Sequence, residues 1–392
     1  MPGAILSASL CLAAILPSCF SLSIDMPLQK TYNLYNLFRS KEDTYMSLFS
    51  SVRGVWERYV IAKRAKTVNK RLDSHIHKYT LPKDKAQQVK EYFAPYAKCA
   101  LVSHNYYWEK TGNFFVNYMP EDFYFCYIDP FYNDWREGGH ADNKCFYNRM
   151  YTGVKLPDSR AFRIKGLWFT EGYTPITREA LDVLLAKEPE IVVKKAMGSE
   201  GGRGVFFIPG DQLSSVEGKI RDDILIERPV REHPGIAAIN DSSVNTIRIL
   251  SLLRPEGVKL YSALLRFGIK GSRVDNASGG GFFCGIDWDG KMKKTGYRVA
   301  GDKITQHPDS GIVFEGYEIP GFQKCCDAAK KLHLQTPRFR LISWDFSVGE
   351  DGEPVLVEAN LYFGGLDLHQ LTNGPLFGDD TKMILDEVFG KK

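Results

Sequence analysis

The sequence lacks the cysteine spacing that would indicate a structural metal. None of its eight cysteines forms a CxxC pair, which argues against a zinc site. Because the cysteines are thinly spread, we expect buried free thiols in a reducing compartment, while the even count leaves disulfides open. The cysteines are Cys11, Cys19, Cys99, Cys126, Cys145, Cys284, Cys325 and Cys326.

The sequence also lacks an excess of charge of one sign. Its 51 basic and 47 acidic residues give a net charge of +4, which is too balanced to indicate a nucleic-acid-binding protein. The apolar share of 44% and the charged share of 25% are typical of a soluble globular protein. Since a single core rarely exceeds roughly 250–300 residues, a chain of 392 residues is expected to form two or three lobes.

The N-terminus lacks the basic segment with which a signal peptide begins. Residues 4–22 are apolar, interrupted mainly by Ser and Pro, but the first Lys or Arg is Lys30. Residues 1–25 are therefore interpreted as a leader, an anchor or the product of a mis-called start, and a start at Met26 is favoured over a membrane anchor. The sequence contains no other membrane span, no internal repeat and no low-complexity segment.

Residues 26–140 are predicted to form a helical, aromatic-rich region. Apolar residues at spacings of three or four predict a helix over 43–72. Its basic face is interpreted as solvated rather than as a contact for anionic lipid or an acidic sugar polymer. A second helix is predicted over Lys83–Tyr96. The aromatic stretch 92–135 is interpreted as core in preference to a sugar-binding platform.

From about Asn143 the sequence alternates short strands with helices, which predicts an α+β fold. Helices are predicted over Thr177–Ala186 and Pro320–Leu332 and at the C-terminus. The predicted strands are Ile191–Lys195, Gly204–Ile208, Ile224–Arg228, Thr246–Leu253, Lys259–Phe267, Phe282–Trp288, Ser343–Val348 and Val355–Asn360.

Residues 343–360 predict a β-hairpin. Two alternating apolar runs flank Asp351-Gly352, a dipeptide that favours a two-residue type I′ turn because both central residues need positive φ. That register places Asp345 directly opposite Glu358 and Ser343 opposite Asn360. The predicted core face carries Phe346, Val348, Val355 and Val357, and the predicted polar face carries Ser343, Asp345, Ser347, Glu358 and Asn360.

The polar face of this hairpin predicts a magnesium site. Two carboxylates directly opposite each other repel, so a positive group is needed between them. Mg²⁺ takes one or two protein carboxylates together with phosphate oxygens, and Asn360 adds a neutral oxygen. A merely solvated face would not usually gather Asp, Glu and Asn without a Lys or Arg. We therefore predict that Asp345, Glu358 and Asn360 hold magnesium.

A glycine-rich segment after a strand ending in Lys194 predicts a phosphate-binding loop. Residues 198–204 contain four glycines, which let the backbone approach an anion and present successive N–H groups to it. Lys194 would supply a point charge. Such loops are common, so the signal gains its value from the magnesium hairpin. The loop residues assigned to this site are Ser199, Gly201 and Gly202.

Three further segments extend this site. The apolar strand at 224–228 is followed by Pro229 and could present backbone groups to an adenine. Arg248 lies within an alternating strand, where a charged residue is usually exposed at an edge. If it faces the cleft, it can grip a phosphate or carboxylate bidentately. Residues 275–281 form either a lid or a plain surface loop.

These segments, in this order, resemble the ATP-grasp superfamily. The interval of thirteen residues from Asp345 to Glu358, followed by Asn360, is similar to the magnesium hairpin of carboxylate–amine ligases such as D-alanine–D-alanine ligase. More closely, roughly residues 90–385 resemble the sugar-transfer-associated ATP-grasp family. This resemblance is carried by Tyr118-Met119-Pro120-Glu121, Asp142-Asn143-Lys144, residues 243–248, residues 274–281 and Trp344-Asp345.

The resemblance implies two α+β lobes that clasp ATP, at residues 141–232 and 233–392. It implies ATP-phosphate contacts from Lys144 and Lys194, with Lys194 also assigned to catalysis. It further implies an adenine pocket lined by Glu227, Arg228 and Val230, and contacts of Arg248 and Arg266 to the transferred phosphate or acyl-phosphate. The chain departs from the family pattern at Lys195, where proline is usual, at Ser343, where arginine is frequent, and in lacking a clear acidic ribose contact beyond Glu232.

The function implied by the resemblance is an ATP- and Mg²⁺-dependent ligase that activates a carboxylate as an acyl-phosphate and joins it to an amine, in cell-surface polysaccharide biosynthesis. The alternatives are a kinase for a small molecule or sugar, a non-catalytic nucleotide-binding scaffold, and a glycosyltransferase. The last is discounted because Asp287-Trp288-Asp289 falls at a predicted turn. The expected partners are small-molecule carboxylate and amine substrates, with a sugar-linked substrate left open. Since an exported enzyme would have no ATP, a cytoplasmic location is expected, with peripheral membrane association left open.

Overall fold

Two antiparallel sheets dominate the part of the chain that this computed structural model describes. That part comprises residues 65–77, 80–134, 138–198, 204–269, 271–273, 280–298, 300–362 and 364–391, together with residues 63 and 202. The expected α+β class is confirmed. No helix within these residues is both long and apolar enough to cross a membrane.

The first sheet lies in the middle of the sequence and has the strand order β2-β1-β5-β3-β4. Its strands are β1 (Ser159–Ile164), β2 (Leu167–Thr170), β3 (Ile191–Lys195), β4 (Val205–Ile208) and β5 (Ile224–Glu227). Every pairing in it is antiparallel.

The second sheet is larger and has the strand order β10-β9-β8-β7-β6-β11-β12. Its strands are β6 (Thr246–Arg254), β7 (Gly257–Phe267), β8 (Phe282–Ile286), β9 (Met292–Tyr297), β10 (Lys303–Ile304), β11 (Leu341–Val348) and β12 (Pro354–Asn360). The central position of β6, β7 and β11 matters for function, because these strands carry the charged residues discussed below.

Six helices of at least eight residues, with both ends within the described residues, surround the sheets. They are α1 (Lys83–Phe93), α2 (Val102–Thr111), α3 (Arg178–Leu185), α4 (Phe322–His333), α5 (Leu366–Asn373) and α6 (Thr381–Val388). Shorter helical segments are Glu121–Phe123, Tyr124–Ile128, Asp129–Tyr132, Gly138–Ala141, Lys144–Phe146, Tyr147–Met150, Gly210–Ser215, Glu217–Lys219, Pro234–Ala237 and Gly378–Asp380. Residues 65–73 are also helical, and the remainder of the helix predicted over 43–72 lies outside the described residues.

Helix α3 covers one face of the first sheet. Thr177 caps its N-terminus by accepting a hydrogen bond from the backbone N–H of Ala180, 3.3 Å away. Leu181 and Leu185, one turn apart, pack against buried residues of β3 and β5 such as Val193. This packing fixes β3, and with it the position of Lys194.

The second sheet is covered on both faces. Phe322, Cys325 and Leu332 of α4 pack in one core with Trp344 and with residues of β6 and β7. On the opposite face, Phe93 and Phe123 pack with residues of β6, β11 and α6. The interpretation of the aromatic stretch as core is confirmed, because about half of its described aromatic side chains are buried and most of the others pack against the core partly buried. The buried ones include Tyr106, Tyr107, Tyr118, Phe123 and Tyr124.

The hairpin of β11 and β12 forms as predicted, but its turn does not. Gly352 donates a hydrogen bond to Gly349 O at 2.8 Å, and Gly349 donates one to Glu353 O at 2.9 Å. Gly352 has φ +75°, whereas Asp351 is not among the residues of positive φ. The two-residue type I′ turn is therefore wrong: the loop contains three residues, a type I turn followed by a left-handed glycine.

A β-bulge follows the turn and restores the predicted register at the site. Phe346 pairs with Leu356, one residue away from the predicted partner, but Asp345 pairs with Glu358 as predicted. Ser343 likewise pairs with Asn360. The extra residue is Val357, which is half-buried, so the prediction of Val357 on the core face is wrong. Leu356 packs in that core instead, and Val355 is buried as predicted.

All six cysteines within the described residues are free thiols. Burial raises the pKa of Cys284 to about 12. A protonated, buried thiol is neither a metal ligand nor a nucleophile. Cys11 and Cys19 lie outside the described residues.

Candidate functional site

The charges of the second sheet converge on Asp345. Arg248, on the neighbouring strand β6, donates two hydrogen bonds to its carboxylate, from Nε to Oδ1 and from Nη2 to Oδ2, both at 2.7 Å. Arg266 of β7 adds a third, from Nη1 to Oδ2 at 3.1 Å. Strand register explains the arrangement, because Asp345 pairs with Arg248 and Thr246 pairs with Arg266. Arg248 therefore lies on a central strand of the sheet rather than at an edge.

Two guanidinium groups keep Asp345 ionised although it is buried. Burial opposes the charged form, but Arg248 and then Arg266 outweigh it, so the pKa of Asp345 lies below its usual value. The absence of Lys and Arg from the hairpin sequence indicated that a metal must neutralise its carboxylates. That step is corrected, since neighbouring strands supply the positive charge.

Glu358 faces Lys144 across the site. Its Oε1 lies 2.7 Å from Lys144 Nζ. Burial alone would lower the pKa of Lys144, but the carboxylate of Glu358 outweighs burial and raises it. Lys144 belongs to the short helix Lys144–Phe146 and is joined to the first sheet by a hydrogen bond from its N–H to Ala196 O at 3.1 Å. The ion pair therefore links the two sheets.

Asn360 completes the polar edge of the hairpin. Its Nδ2 donates to Ser343 O at 3.1 Å and to Asp345 Oδ2 at 3.4 Å, which directs the amide towards the carboxylate. Two carboxylates and an amide oxygen on one face are the donor types that Mg²⁺ prefers. The residues present thus fit a magnesium ion, and Asp345, Glu358 and Asn360 would hold it.

A pocket lies where the first sheet meets β12, next to this ion pair. It is lined by Lys144, Tyr147, Phe162, Leu225, Glu227 and Val357. Lys194 reaches Glu227, with Nζ 2.6 Å from Oε2. The structure thus brings three of the predicted nucleotide-site residues, Lys144, Lys194 and Glu227, to one place with an apolar wall beside them. The pocket has a volume of about 10 Å³, so the residues meet here without an open cavity of nucleotide size.

The other predicted nucleotide-site residues lie apart from this pocket or are not described. The Arg228 side chain forms ion pairs with Glu188 and Asp158 and does not line the pocket. Val230 is half-buried just beyond β5. Gly202 has φ +74°, a conformation that glycine favours. Ser199 and Gly201 lie outside the described residues, as do residues 275–279 of the loop at 275–281.

Glu232, the weak candidate for a ribose contact, is fully engaged within the protein. Its Oε1 accepts hydrogen bonds from Asn245 N and Ser347 Oγ, and its Oε2 accepts one from Asn245 Nδ2, all at 2.8 Å. These bonds tie the hinge after β5 to β6 and β11. The carboxylate therefore positions the strands that carry Arg248 and Asp345.

Tyr147 is a pocket residue that the sequence analysis missed. Its hydroxyl accepts a hydrogen bond from Ala359 N at 3.2 Å and donates one to Ala359 O at 3.4 Å, between the metal-site candidates Glu358 and Asn360. Only its spacing of three residues from Lys144 could have indicated it, because that spacing places two helical residues on one side.

Comparison with known proteins identifies one family. A family model described as sugar-transfer associated ATP-grasp matches residues 212–384. No curated protein matches the chain. The matched segment includes β5 to β12, and therefore both arginines and all three metal-site candidates.

Solved structures of ATP-dependent enzymes are similar to the chain only at low levels. The ADP complex of an N5-carboxyaminoimidazole ribonucleotide synthetase is 11% identical, with 57% of this chain and 46% of that chain covered and a TM-score of 0.35. An L-amino acid ligase from Bacillus licheniformis is 12% identical, with 63% of this chain and 47% of that chain covered and a TM-score of 0.36. A D-alanine–D-alanine ligase from Bacillus anthracis is 15% identical, with 66% of this chain and 70% of that chain covered and a TM-score of 0.37.

The chain thus spans about half the length of the first two of these structures. At such identities and TM-scores, the likeness in shape carries no conclusion about residue roles. The comparison therefore rests on the sequence match alone. Residues 212–384 of this chain are similar to the sugar-transfer-associated ATP-grasp family.

Proposed function

We propose that this chain is an ATP- and Mg²⁺-dependent ligase that phosphorylates a substrate carboxylate and transfers the acyl group to an amine. The observation that carries the proposal is the convergence on Asp345 and Glu358 of three basic side chains from three different elements, Arg248, Arg266 and Lys144. A mainly structural ion pair needs one partner for each carboxylate, whereas an anion-binding site needs surplus positive charge.

The two lysines are proposed to bind the nucleotide phosphates. Lys144 and Lys194 each pair with a carboxylate, Glu358 and Glu227, at 2.7 and 2.6 Å. Both carboxylates border the pocket or the hairpin where nucleotide would lie. When phosphate oxygens enter, each ammonium group can turn to them, because an ammonium is a point charge with three rotatable donors.

Asp345, Glu358 and Asn360 are proposed to hold magnesium. Bound Mg²⁺ would neutralise charge on phosphate oxygens, which lowers the cost of bringing an anionic carboxylate close to them. Asp345 keeps its charge for this role because Arg248 and Arg266 lower its pKa. Glu358 keeps part of its carboxylate exposed to the cleft, at 29%.

Arg248 and Arg266 are proposed to bind the transferred phosphoryl group and to orient the substrate carboxylate. Phosphoryl transfer depends on positioning and on charge stabilisation more than on covalent help from the protein. A guanidinium presents fixed, parallel donors that match phosphate and carboxylate oxygens. Arg248 is held rigidly by its bidentate contact, so it would orient the reacting groups without a large loss of entropy.

The substrates are proposed to be a small carboxylate and an amine connected with cell-surface glycans. This follows only from the family description, which associates these proteins with sugar transfer. The phosphorylated carboxylate would be an acyl-phosphate. The amine nitrogen would form a bond to the acyl carbon, the bond to the phosphate oxygen would break, and phosphate would leave.

Calorimetric titration of Mg·ATP tests the nucleotide and metal sites. We expect the double variant Asp345→Asn with Glu358→Gln to lose at least ten-fold in affinity, which corresponds to about 1.4 kcal/mol. The matched control is Asp351→Asn with Glu353→Gln, at the tip of the same hairpin, where both carboxylates are exposed and paired with Lys155 and Lys324. The control should bind as the wild type does.

Turnover then separates the ligase from the kinase. Carboxylates should be screened in the presence of hydroxylamine, which captures an acyl-phosphate as a hydroxamate. Hydroxamate formation that depends on one carboxylate supports the ligase. A folded wild-type protein that binds no Mg·ATP would defeat the proposal, and ADP release with a stable phosphate ester would favour the kinase.

A further inference from the structure

A strained backbone position lies in the turn after β2. Tyr173 has φ +62°, and among the described residues only Lys165 shares a positive φ with it while carrying a side chain. Lys165 and Gly166 both have positive φ, as the two-residue turn between β1 and β2 requires. For a bulky tyrosine the left-handed conformation costs free energy. Such strain persists only where surrounding contacts outweigh it.

The turn at Tyr173 occurs a second time in this chain, with glycine at the strained position. Tyr173 N donates to Thr170 O, and Thr170 N donates to Thr174 O, both at 2.9 Å. At the tip of the β11–β12 hairpin, Gly352 closes a loop with the same two hydrogen bonds and has φ +75°. Glycine is the residue that this position favours. A tyrosine in its place therefore points to a role for the side chain.

The Tyr173 hydroxyl binds the segment that carries Lys144. It donates to Cys145 O at 2.6 Å and also reaches Asn148 Oδ1. The amide of Asn148 is oriented for this contact, because its Nδ2 donates to Glu171 O at 3.2 Å. Burial raises the pKa of Tyr173, so the phenol stays protonated and donates at neutral pH. The turn after β2 is therefore bonded directly to the residue that follows Lys144.

The ring of Tyr173 is held by three neighbouring side chains. Its centroid lies 5.1 Å from that of Phe162 and 6.2 Å from that of Phe146, and both pairs of rings are stacked. The guanidinium carbon of Arg149 lies 4.0 Å from the same centroid. Phenylalanine at this position would keep these ring contacts. The contribution of the hydroxyl can therefore be separated from that of the ring.

Lys144 joins the two sheets, and hydrogen bonds hold its backbone on the side of the first sheet. Its Nζ lies 2.7 Å from Glu358 Oε1 of β12. Its N–H donates to Ala196 O at 3.1 Å, just beyond the end of β3. Tyr173 holds the next carbonyl along the chain, that of Cys145. The hydroxyl thus fixes the backbone beside the lysine that is assigned to the nucleotide phosphates.

We propose that Tyr173 is a positioning residue of the nucleotide site, which keeps Lys144 in place for phosphate binding by holding the Cys145 carbonyl. The role of Lys144 itself rests on the proposed function. Without the hydroxyl, the backbone at Cys145 would lose its attachment to the turn after β2, and the lysine would sample a wider range of positions. A binding group that must be ordered by the ligand contributes less affinity than one that is already in place.

Calorimetric titration of Mg·ATP into Tyr173→Phe tests the proposal. This variant keeps the stacked ring and removes only the hydroxyl. We expect its dissociation constant to be about five-fold that of the wild type, which is what the net contribution of one hydrogen bond allows. Tyr261→Phe is the matched control, since it removes a hydroxyl that donates to Asp380 Oδ2 at 2.7 Å on the second sheet. The control should bind as the wild type does.

A double-mutant cycle with Lys144→Met separates positioning from a general effect on the fold. If Tyr173 acts through Lys144, Tyr173→Phe should not weaken Mg·ATP binding further once that lysine is absent. A merely structural hydroxyl would weaken binding by the same factor in both backgrounds. In the Lys194→Met background, where Lys144 remains, Tyr173→Phe should still cause the five-fold loss.

The proposal and the proposed function fail in different ways. Wild-type affinity in Tyr173→Phe, or an equal loss with and without Lys144, would overturn the positioning role and leave the nucleotide site in place. No binding of Mg·ATP to the folded wild type would defeat both. Thermal unfolding verifies that each variant folds, and Tyr173→Phe should lose no more than a few degrees because it keeps the ring contacts.

Discussion

Asp345 shows how one carboxylate can serve both stability and binding. It receives three hydrogen bonds from two arginines, yet it remains beside Asn360 and opposite Glu358 on the face assigned to magnesium. Loss of one partner from a buried ion pair is costly because the remaining charge is left without compensation. The arginines therefore support the fold whether or not a ligand is bound.

Arg248→Met should destabilise the protein by about 3 kcal/mol, within the usual cost of breaking a buried pair and reduced because Arg266 still contacts Asp345. Urea unfolding followed by circular dichroism measures the change. Arg178→Met is the control, since it removes a more exposed guanidinium paired with Asp182 and Glu217 and should cost no more than about 1 kcal/mol. Equal losses for the two variants would contradict the burial argument.

Glu121 should make stability depend on pH. Burial, followed by the charge of Asp367, raises the pKa of Glu121 from 4.5 to about 8, although Arg71 opposes the rise. Between these two pH values the folded state holds a proton that the unfolded state has released. The contribution to stability is therefore complete below the lower value and is lost as pH rises through the higher one.

Glu121→Gln should remove this dependence. The free energy of unfolding of the wild type should fall between pH 5 and pH 8, by up to about 1.4 kcal/mol per pH unit, and that of the variant should fall less. Urea unfolding at several pH values provides the measurement. Glu91→Gln, an exposed carboxylate on α1, should behave as the wild type does. A variant with the wild-type slope would show that Glu121 is ionised throughout.

Among the elements, the β11–β12 hairpin shows what alternation in a sequence can and cannot predict. Apolar alternation correctly predicted both strands and the pairing of Asp345 with Glu358. It could not predict the three-residue turn or the bulge, because each adds one residue without changing composition. The position of Val357 outside the core depends on the packing of Leu356 beneath Trp344 and Phe346, which no local pattern contains.

Gly352→Ala should destabilise the hairpin by about 1 kcal/mol, because an L side chain is strained at φ +75°. No atom lies within 4 Å of the position that the new methyl group would take, so the loss comes from the backbone alone. Urea unfolding gives the value. Gly139→Ala, with equally open surroundings but no positive φ, should be neutral or slightly stabilising. A neutral Gly352→Ala would mean that the turn rearranges.

The strands of the second sheet were more predictable than the first. The five strands predicted there end within about two residues of those observed, since strands buried on both faces are long and apolar. Strands β9 and β10 of the same sheet were missed. Strands β1 and β2 of the first sheet were also missed, because charged residues such as Arg163 interrupt the first and the second has four residues. Helix α5 was also missed; its residues satisfy polar groups of other elements, so it has no clear apolar stripe.

At the scale of the whole molecule, Lys144 joins the two sheets through its contact with Glu358. The sequence placed Lys144 in the site only through resemblance, since it is more than two hundred residues away from Glu358. Arg266 was likewise placed in the site only through resemblance. Residues on one hairpin could be placed from their spacing, but the partners of that hairpin come from elements whose approach depends on the complete fold.

Lys144→Met and Lys194→Met should each weaken Mg·ATP binding by about ten-fold or more, because each removes a charge-assisted contact to phosphate. Calorimetric titration measures this effect. Lys155→Met, which removes an exposed lysine paired with Asp351 at the hairpin tip, is the matched control and should bind normally. Unchanged affinity in both variants would move the nucleotide away from the proposed pocket.

The bulge at Val357 also determines how this hairpin can vary in length. Loss of one residue between Pro354 and Val357 would remove the bulge and still leave Glu358 opposite Asp345. Loss of two would turn Glu358 into the core, because side chains alternate along a strand. We therefore expect natural relatives to shorten this segment by one residue at most, so that a count of residues in an alignment would reveal whether the acidic pair is preserved.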